Sequence, residues 1–414
     1  MAGRPVRPRL VPRWRWQRSV ATATLASMAS LFAWAGWGAW QHRVEGQVVV
    51  EAPWRQWERR LVLTERRLWE PLAAAGLGAG TVTADRPPFV WPLWRLRIEA
   101  VGQASRELWV LTDGGLWDPT RRARVAAKSD ARAAAAEAVQ LLATGVFGEL
   151  VPWTSVDPLF SWDSVAVLED LRTGVRLTVR RYGGYLHADV EPATRHDMAV
   201  LRALYAGEWS WRRRPVVAVI AGRRIAASIN GMPHGGGVVE DNDFPGHFCL
   251  HFLESQVHAS RRVDPSHQLM VWQAAGRLAQ RMAELPPDQL VTWALAAINE
   301  DDEAGLALAS AGGDATLVGR LLEEIRYVVG ERVEAIGASR PGESPRARIQ
   351  AVVYYAWPDP GAGFRHSFEV RLVPRGGEPA SGGGWAVDLE DLARLLDRPA
   401  SARPVTTSFT GPEC

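Results

Sequence analysis

Hydrophobic positions change their spacing several times along the chain, and the first change marks a candidate membrane helix. Residues 19–40 contain no charged side chain, and these 22 residues are enough to cross a bilayer as a helix, which needs about 20. Residues 1–18 carry six arginines and no acid, so the positive-inside rule predicts a cytoplasmic basic tail. We therefore expect a single-pass cell-membrane protein whose bulk lies outside the cytoplasm. A signal peptide cleaved near Ala33 is the alternative.

An amphipathic pattern follows the apolar run. Within residues 41–80, positions 51–75 place one hydrophobic stripe along a helix, and arginines and glutamates occupy much of the remaining surface. The stripe consists of Trp54, Trp57, Leu61, Leu68 and Leu72. Glycines at the end of the segment stop the pattern. The spacing predicts a juxtamembrane amphipathic helix.

The next two segments combine strand and helix patterns. Residues 81–150 predict a small α/β accessory domain, with strands over 95–100 and 107–111 and an alanine-rich helix over 130–150. Residues 151–285 predict a β-rich middle domain that ends in a helix capped by Asp264. Its strands are predicted over 165–167, 175–180, 215–220 and 224–229.

The last segment, residues 286–398, places helices before long strands. The helices are predicted over 288–310 and 315–328, and the strands over 346–357, 364–373 and 384–389. This order resembles the nuclear-transport-factor-like α+β fold, and the resemblance implies an accessory domain. Residues 399–414 are predicted to be disordered. The predicted fold class is thus multi-domain α+β with an N-terminal transmembrane helix.

Composition narrows the classes of function. The formal net charge is only +2, which argues against nucleic acid as the main partner. Two cysteines in 414 residues exclude a disulfide-rich scaffold. The sequence does not indicate a protein partner.

Candidate chemistry concentrates in residues 230–252, a glycine-rich loop followed by an apolar alternating segment. If residues 246–252 form a strand, His247, Cys249 and His251 share one face, because side chains alternate across a strand. A cysteine next to imidazoles is the arrangement that a thiolate nucleophile requires, since a neighbouring imidazole lowers the pKa of the thiol or takes its proton. The predicted catalytic residues are Cys249 as nucleophile and His234 or His247 as base.

The same residues resemble the signature of L,D-transpeptidases (YkuD-like proteins). His234-Gly235 is similar to the family's first histidine and glycine, and Gly246-His247-Phe248-Cys249 is similar to its nucleophile motif. Phe248 stands where the family has glycine, and His251 stands where it has arginine or asparagine. The resemblance implies a YkuD-like catalytic domain over residues 151–285 that acts on peptidoglycan stem peptides through a thioester.

Several supporting residues and two alternatives accompany this hypothesis. Trp211 and Arg214 belong to an aromatic and basic run that can hold a peptide or glycan, and Asp189 can orient a histidine. A solvated turn is nevertheless the favoured interpretation for the segment around Asp189. A buried, inert cysteine would instead indicate a non-catalytic cell-envelope scaffold.

A zinc-dependent hydrolase is the remaining alternative, although no cofactor is the first expectation. Its ligands would be His247, Cys249 and His251, with His234, His258 or Asp189 completing a tetrahedral site.

Overall fold

A computed structural model describes eight stretches of the chain. They are residues 45–51, 60–76, 94–111, 114–310, 314–336, 344–357, 362–375 and 384–398. The predicted tails, 1–18 and 399–414, and the predicted membrane span, 19–40, lie outside these stretches. The part of the chain from Glu45 onward forms one compact unit.

The first layer of this unit is an antiparallel six-stranded sheet in the order β2-β1-β3-β4-β5-β6. Its strands are β1 (Gly46–Glu51), β2 (Arg60–Leu63), β3 (Trp94–Ala100), β4 (Arg106–Val110), β5 (Leu116–Asp118) and β6 (Ala123–Val125). Helices α1 (Arg66–Ala74) and α2 (Ser129–Val146) pack against the sheet through a shared apolar cluster.

The juxtamembrane helix predicted over residues 51–75 is wrong at residues 60–63. Arg60–Leu63 is a strand that pairs with Val48–Glu51 in an antiparallel ladder, and Arg66–Ala74 is helical. Trp54 and Trp57 of the predicted stripe lie outside the described residues. Ladder pairing with β1 outweighs the helical spacing of the apolar side chains at residues 60–63. The helical half keeps the predicted stripe, since Leu68 and Leu72 are fully buried.

The middle of the chain closes into a six-stranded barrel in the order β10-β11-β12-β9-β8-β7. The strands are β7 (Val165–Asp170), β8 (Arg176–Gly183), β9 (Ala188–Pro192), β10 (Arg214–Ile220), β11 (Arg223–Ile229) and β12 (Phe248–His251). The short helices α3 (Trp153–Val156) and α4 (Arg195–Leu204) accompany it. Every residue of β9 is buried, so the solvated turn favoured for this segment is wrong. Pairing of β9 with both β8 and β12 buries it.

Helices and a curled sheet complete the unit. The helices are α5 (Pro265–Ala274), α6 (Leu278–Glu284), α7 (Pro287–Asn299), α8 (Glu303–Ala309), α9 (Ala315–Glu324) and α10 (Leu389–Leu392). The antiparallel strands are β13 (Ile325–Ile336), β14 (Arg346–Tyr355), β15 (Gly363–Pro374) and β16 (Trp385–Val387). Asp264 caps α5 by accepting a hydrogen bond from the Ser266 amide, as its sequence predicts.

Two helices predicted as continuous are each divided in two. The first breaks at Gly276, where φ is +67° and where a β-carbon would lie 2.5 Å from the Phe147 ring. The second breaks after Asn299, because Glu300 turns inward and hydrogen bonds the backbone of Arg213. In both places tertiary contacts override a continuous helical pattern.

The predicted fold class is contradicted in two respects. In the described residues the architecture is a mixed α/β arrangement built on a closed barrel and a curled sheet, rather than the predicted α+β arrangement. Within the part of the chain that the structure describes, no helix is both long enough and apolar enough to cross a membrane. The predicted cell-membrane localisation is corrected by the same finding.

Candidate functional site

A two-residue bridge joins the glycine-rich loop to the start of β12. The amides of His234 and His247 each donate to the carbonyl of the other, both at 2.9 Å. Gly235 and Gly246 flank this bridge in the left-handed region, with φ of +60° and +114°. The bridge therefore places His234 beside the strand that carries Cys249.

Strand β12 has two chemically different faces, as its alternation predicts. Phe248 and Leu250 point into the barrel core, and Phe252 beyond the strand joins the same cluster. Cys249 and His251 lie on the opposite face, where the histidines gather. The barrel core thus fixes the backbone from which Cys249 projects.

Cys249 and His234 are in direct contact. The distance from Cys249 Sγ to His234 Nε2 is 3.3 Å. His234 Nδ1 lies 2.9 Å from the Met232 carbonyl oxygen, which can only accept, so Nδ1 carries the ring proton. His234 Nε2 therefore presents its lone pair to the sulfur. Burial lowers the pKa of His234 below its usual range, more than the Met232 hydrogen bond raises it.

Cys249 differs from the lone thiol that the sequence suggested. Its side chain is 0% exposed, and it is disulfide-bonded. The sequence contains one other cysteine, Cys414, which lies outside the described residues. Any chemistry of the Cys249 thiol consequently requires reduction of the disulfide by an external dithiol, which is itself oxidised to a disulfide by thiol–disulfide exchange.

His247, the second candidate base, is turned toward a different partner. Its Nδ1 donates to the Gly236 carbonyl at 2.7 Å, and its Nε2 lies 3.8 Å from Asp189 Oδ1. Its ring meets the His234 ring edge-on, with centroids 4.6 Å apart. His247 thus supports the position of His234, and His234 is the histidine at 3.3 Å from the Cys249 sulfur.

A column of stacked imidazoles lies on the same side of β12. His251 stacks on His267 at 3.7 Å and on His187 at 4.1 Å between ring centroids. Burial holds the pKa values of His251 and His267 well below their usual range, so both are neutral near pH 7. His267 is 0% exposed, because α5 packs against the barrel.

Asp189 lies opposite Cys249 in the pairing of β9 with β12. Asp189 Oδ1 is 3.1 Å from His187 Nε2. Burial raises the pKa of Asp189, and nearby His187, His247 and His258 more than offset this, so its pKa lies below the usual range. Its predicted place beside a histidine is thus observed, although the histidine is His187, to which the sequence assigned no role of its own.

The two predicted substrate-binding residues line a cleft of about 500 Å³. Trp211 is half-buried, and its ring centroid lies 5.2 Å from that of His234. The Arg214 guanidinium is held by Asp170 through contacts of 2.8 and 3.0 Å. Trp211 therefore connects the cleft to the Cys249–His234 pair, whereas Arg214 has a structural ion pair there.

The predicted zinc ligands do not come together as one set. Among the described residues, two groups hold ligand atoms within 4.8 Å of one another, and both include His187. One is His187, Cys249 and His251, and the other is His187, Asp189 and His258.

Comparison with known proteins adds no relative. No family, no curated protein and no solved structure matches this chain.

Proposed function

We propose that this protein is a cysteine acyltransferase or peptidase in which reduced Cys249 is the nucleophile and His234 is the base. The observation that carries the proposal is the 3.3 Å contact between Cys249 Sγ and His234 Nε2. The hydrogen bond from His234 Nδ1 to the Met232 carbonyl supports it, because it fixes the tautomer that accepts a proton at Nε2.

The reaction follows from these two atoms. His234 Nε2 takes the thiol proton, and the Cys249 thiolate attacks the carbonyl carbon of an amide. The resulting oxyanion collapses, the carbon–nitrogen bond breaks, and the leaving amine takes the proton from His234. The thioester that remains is resolved by an amine, giving transfer, or by water, giving hydrolysis. His234 accepts the proton of either acceptor.

The substrate class comes from the motif resemblance and from the cleft. The L,D-transpeptidase-like motif implies peptidoglycan stem peptides. Trp211 lines the cleft beside His234 and offers an aromatic surface to a peptide, and Arg212, which pairs with Asp301 at 3.2 Å, also lines the cleft. No metal or other cofactor takes part in this proposal.

Thiol modification in the variant Cys414→Ser tests the dyad, because Cys249 is then the only cysteine. We expect iodoacetamide to modify Cys249 in folded protein, with a rate that falls as the pH drops through the pKa of His234, which burial holds below its usual range, since protonated His234 accepts no proton. His234→Gln in the same background should slow modification at pH 7 by about tenfold or more.

His196→Gln serves as the control, because His196 is exposed on α4. A synthetic stem tetrapeptide should give a thioester adduct in intact-protein mass spectra of Cys414→Ser, and none in Cys249→Ser. A modification rate equal to the global unfolding rate, and unaffected by His234→Gln, would contradict the proposal.

A non-catalytic scaffold is the second candidate, and the complete burial of the Cys249 side chain favours it. The experiment above separates the two functions. The scaffold predicts modification only on unfolding and no adduct from the peptide.

A further inference from the structure

We propose that His187, Asp189 and His258 form a binding site for a divalent transition metal of the zinc class, on the outer side of the barrel next to Cys249. This inference goes beyond the proposed thiol chemistry, and it does not depend on a reduced cysteine. The ligand set also differs from the one that the sequence predicted.

The spacing of the three side chains fits a metal site. The three ligand atoms lie within 4.8 Å of one another, and His187 Nε2 and Asp189 Oδ1 are 3.1 Å apart. Two ligands at zinc–nitrogen and zinc–oxygen distances of about 2.0–2.1 Å lie roughly 3.3 Å from each other in a tetrahedral site. The observed separation therefore matches one edge of such a site without any movement of β9.

Asp189 has a carboxylate oxygen without a hydrogen-bond donor among the described residues. Asp189 is only 7% exposed, and its Oδ1 is buried without a hydrogen-bond partner among the described residues. The 3.1 Å approach of His187 Nε2 does not supply a donor, because the ring proton of His187 is on Nδ1, which donates to the Gln256 carbonyl. A buried carboxylate oxygen without a donor is costly, and a bound cation removes that cost.

The His187 imidazole is oriented by a backbone hydrogen bond. His187 Nδ1 lies 2.7 Å from the Gln256 carbonyl oxygen, so it donates its proton there and turns Nε2 toward Asp189. Metal-binding histidines are typically held in this way by a backbone carbonyl, which fixes the tautomer and the ring orientation. The His187 ring is thereby already placed to bind a metal through Nε2.

The two candidate groups differ in the access of a metal ion from solvent and in their need for a reduced Cys249. The group of His187, Cys249 and His251 is buried throughout, and it requires the cysteine as a thiolate. The group with Asp189 includes His258, which is exposed on the turn after β12 and gives an entry path. Both groups share His187, whose Nδ1 is engaged by Gln256, so one metal at most uses its Nε2.

Metal binding to the full chain tests the proposal. Protein stripped with a chelator is titrated with cobalt(II) as a spectroscopic stand-in for zinc. We expect one equivalent to bind per chain, with visible absorption and without the intense near-ultraviolet band of a cobalt–thiolate bond. Cys249→Ser should keep the same affinity and spectrum, because the thiol is not a ligand.

Variants of the ligands complete the test. His258→Gln leaves the core intact, and it should weaken cobalt binding by about 100-fold or more, as should Asp189→Asn. His196→Gln should bind as the unchanged protein does. Absence of stoichiometric binding, or a thiolate band that Cys249→Ser abolishes, would overturn this site. Thiol modification measured in metal-free protein is a separate readout, so either proposal can fail while the other stands.

Discussion

At the scale of single residues, the site depends on where a few imidazoles keep or lose their protons. His267 is the clearest example, because it lies on α5, which packs against β11, and its Nδ1 is 2.9 Å from Ser228 Oγ. Burial holds its pKa well below the usual range, so the folded protein keeps it neutral under conditions that protonate an exposed histidine.

This burial predicts a loss of stability in mild acid. Below about pH 6.5 the unfolded chain binds a proton at His267 that the folded chain does not. The free energy of unfolding should therefore decrease as pH falls, by up to about 1.4 kcal/mol per pH unit from this residue. Urea unfolding measured at pH 7.5 and pH 5.5 gives the slope.

His267→Asn should reduce that slope, whatever its effect on stability at pH 7.5. His196→Gln provides the comparison, since His196 is exposed and its removal should leave the slope unchanged. An equal slope in the unchanged protein and in His267→Asn would show that another group causes the acid sensitivity.

The Cys249–His234 pair and the place of Asp189 beside a histidine could be predicted from the sequence, whereas the role of His187 could not. Strand alternation and the motif resemblance selected Cys249, His234 and His247 within one short stretch. His187 and Asp189 lie far upstream, immediately before β9 and on it, and only the pairing of β9 with β12 brings them to the site. No local pattern encodes that pairing.

At the scale of elements, the contact between a loop and a strand sets the site geometry. Gly235 has φ of +60°, and a β-carbon there would lie 2.4 Å from His247 Cε1. The backbone of the loop can approach the His247 ring only because position 235 has no side chain.

Substitution at this position tests the bridge. Gly235→Ala should destabilise the protein by about 1–2 kcal/mol from backbone strain alone, and it should slow Cys249 modification by displacing His234. Gly236→Ala is the matched control, because its φ is outside the left-handed region and its β-carbon would meet only Tyr182 Oη, at 3.4 Å. Equal modification rates in the two variants would argue against a role for the bridge.

The sequence predictions were right for some strands and wrong for others. The sequence placed most barrel strands within a few residues, because their β-branched runs are local signals. It missed β9, whose acidic residues suggested a solvated turn, and β13, which continues directly from α9. It missed the strand Arg60–Leu63 for the same reason, since pairing with a distant partner decided the outcome.

At the scale of the whole molecule, one buried arginine connects the barrel to the C-terminal helices. Arg213 precedes β10 and is 4% exposed. Its Nη2 is 2.5 Å from the carboxylate of Asp264, which caps α5, and its amide donates to Glu300, which follows α7. Three segments that are distant in sequence therefore meet at one guanidinium group.

Removal of this cation should be costly. Arg213→Met leaves the two buried carboxylates without their partner, and we expect a loss of about 3–5 kcal/mol in the free energy of unfolding. Arg212→Met is the neighbouring control, since Arg212 pairs with the half-exposed Asp301 and should cost about 0–1 kcal/mol. Chemical denaturation of both variants measures the difference, and equal losses would show that Arg213 does not connect these segments.

The two faces of β12 have a consequence for how this protein can change. Its inward residues close the barrel, while its outward residues, Cys249 and His251, take no part in that core. Substitution on the outward face can alter or abolish reactivity while the scaffold persists. The same barrel can therefore carry an enzyme, an inactive descendant of that enzyme or a redesigned reaction centre. The fold of the barrel alone does not distinguish these cases.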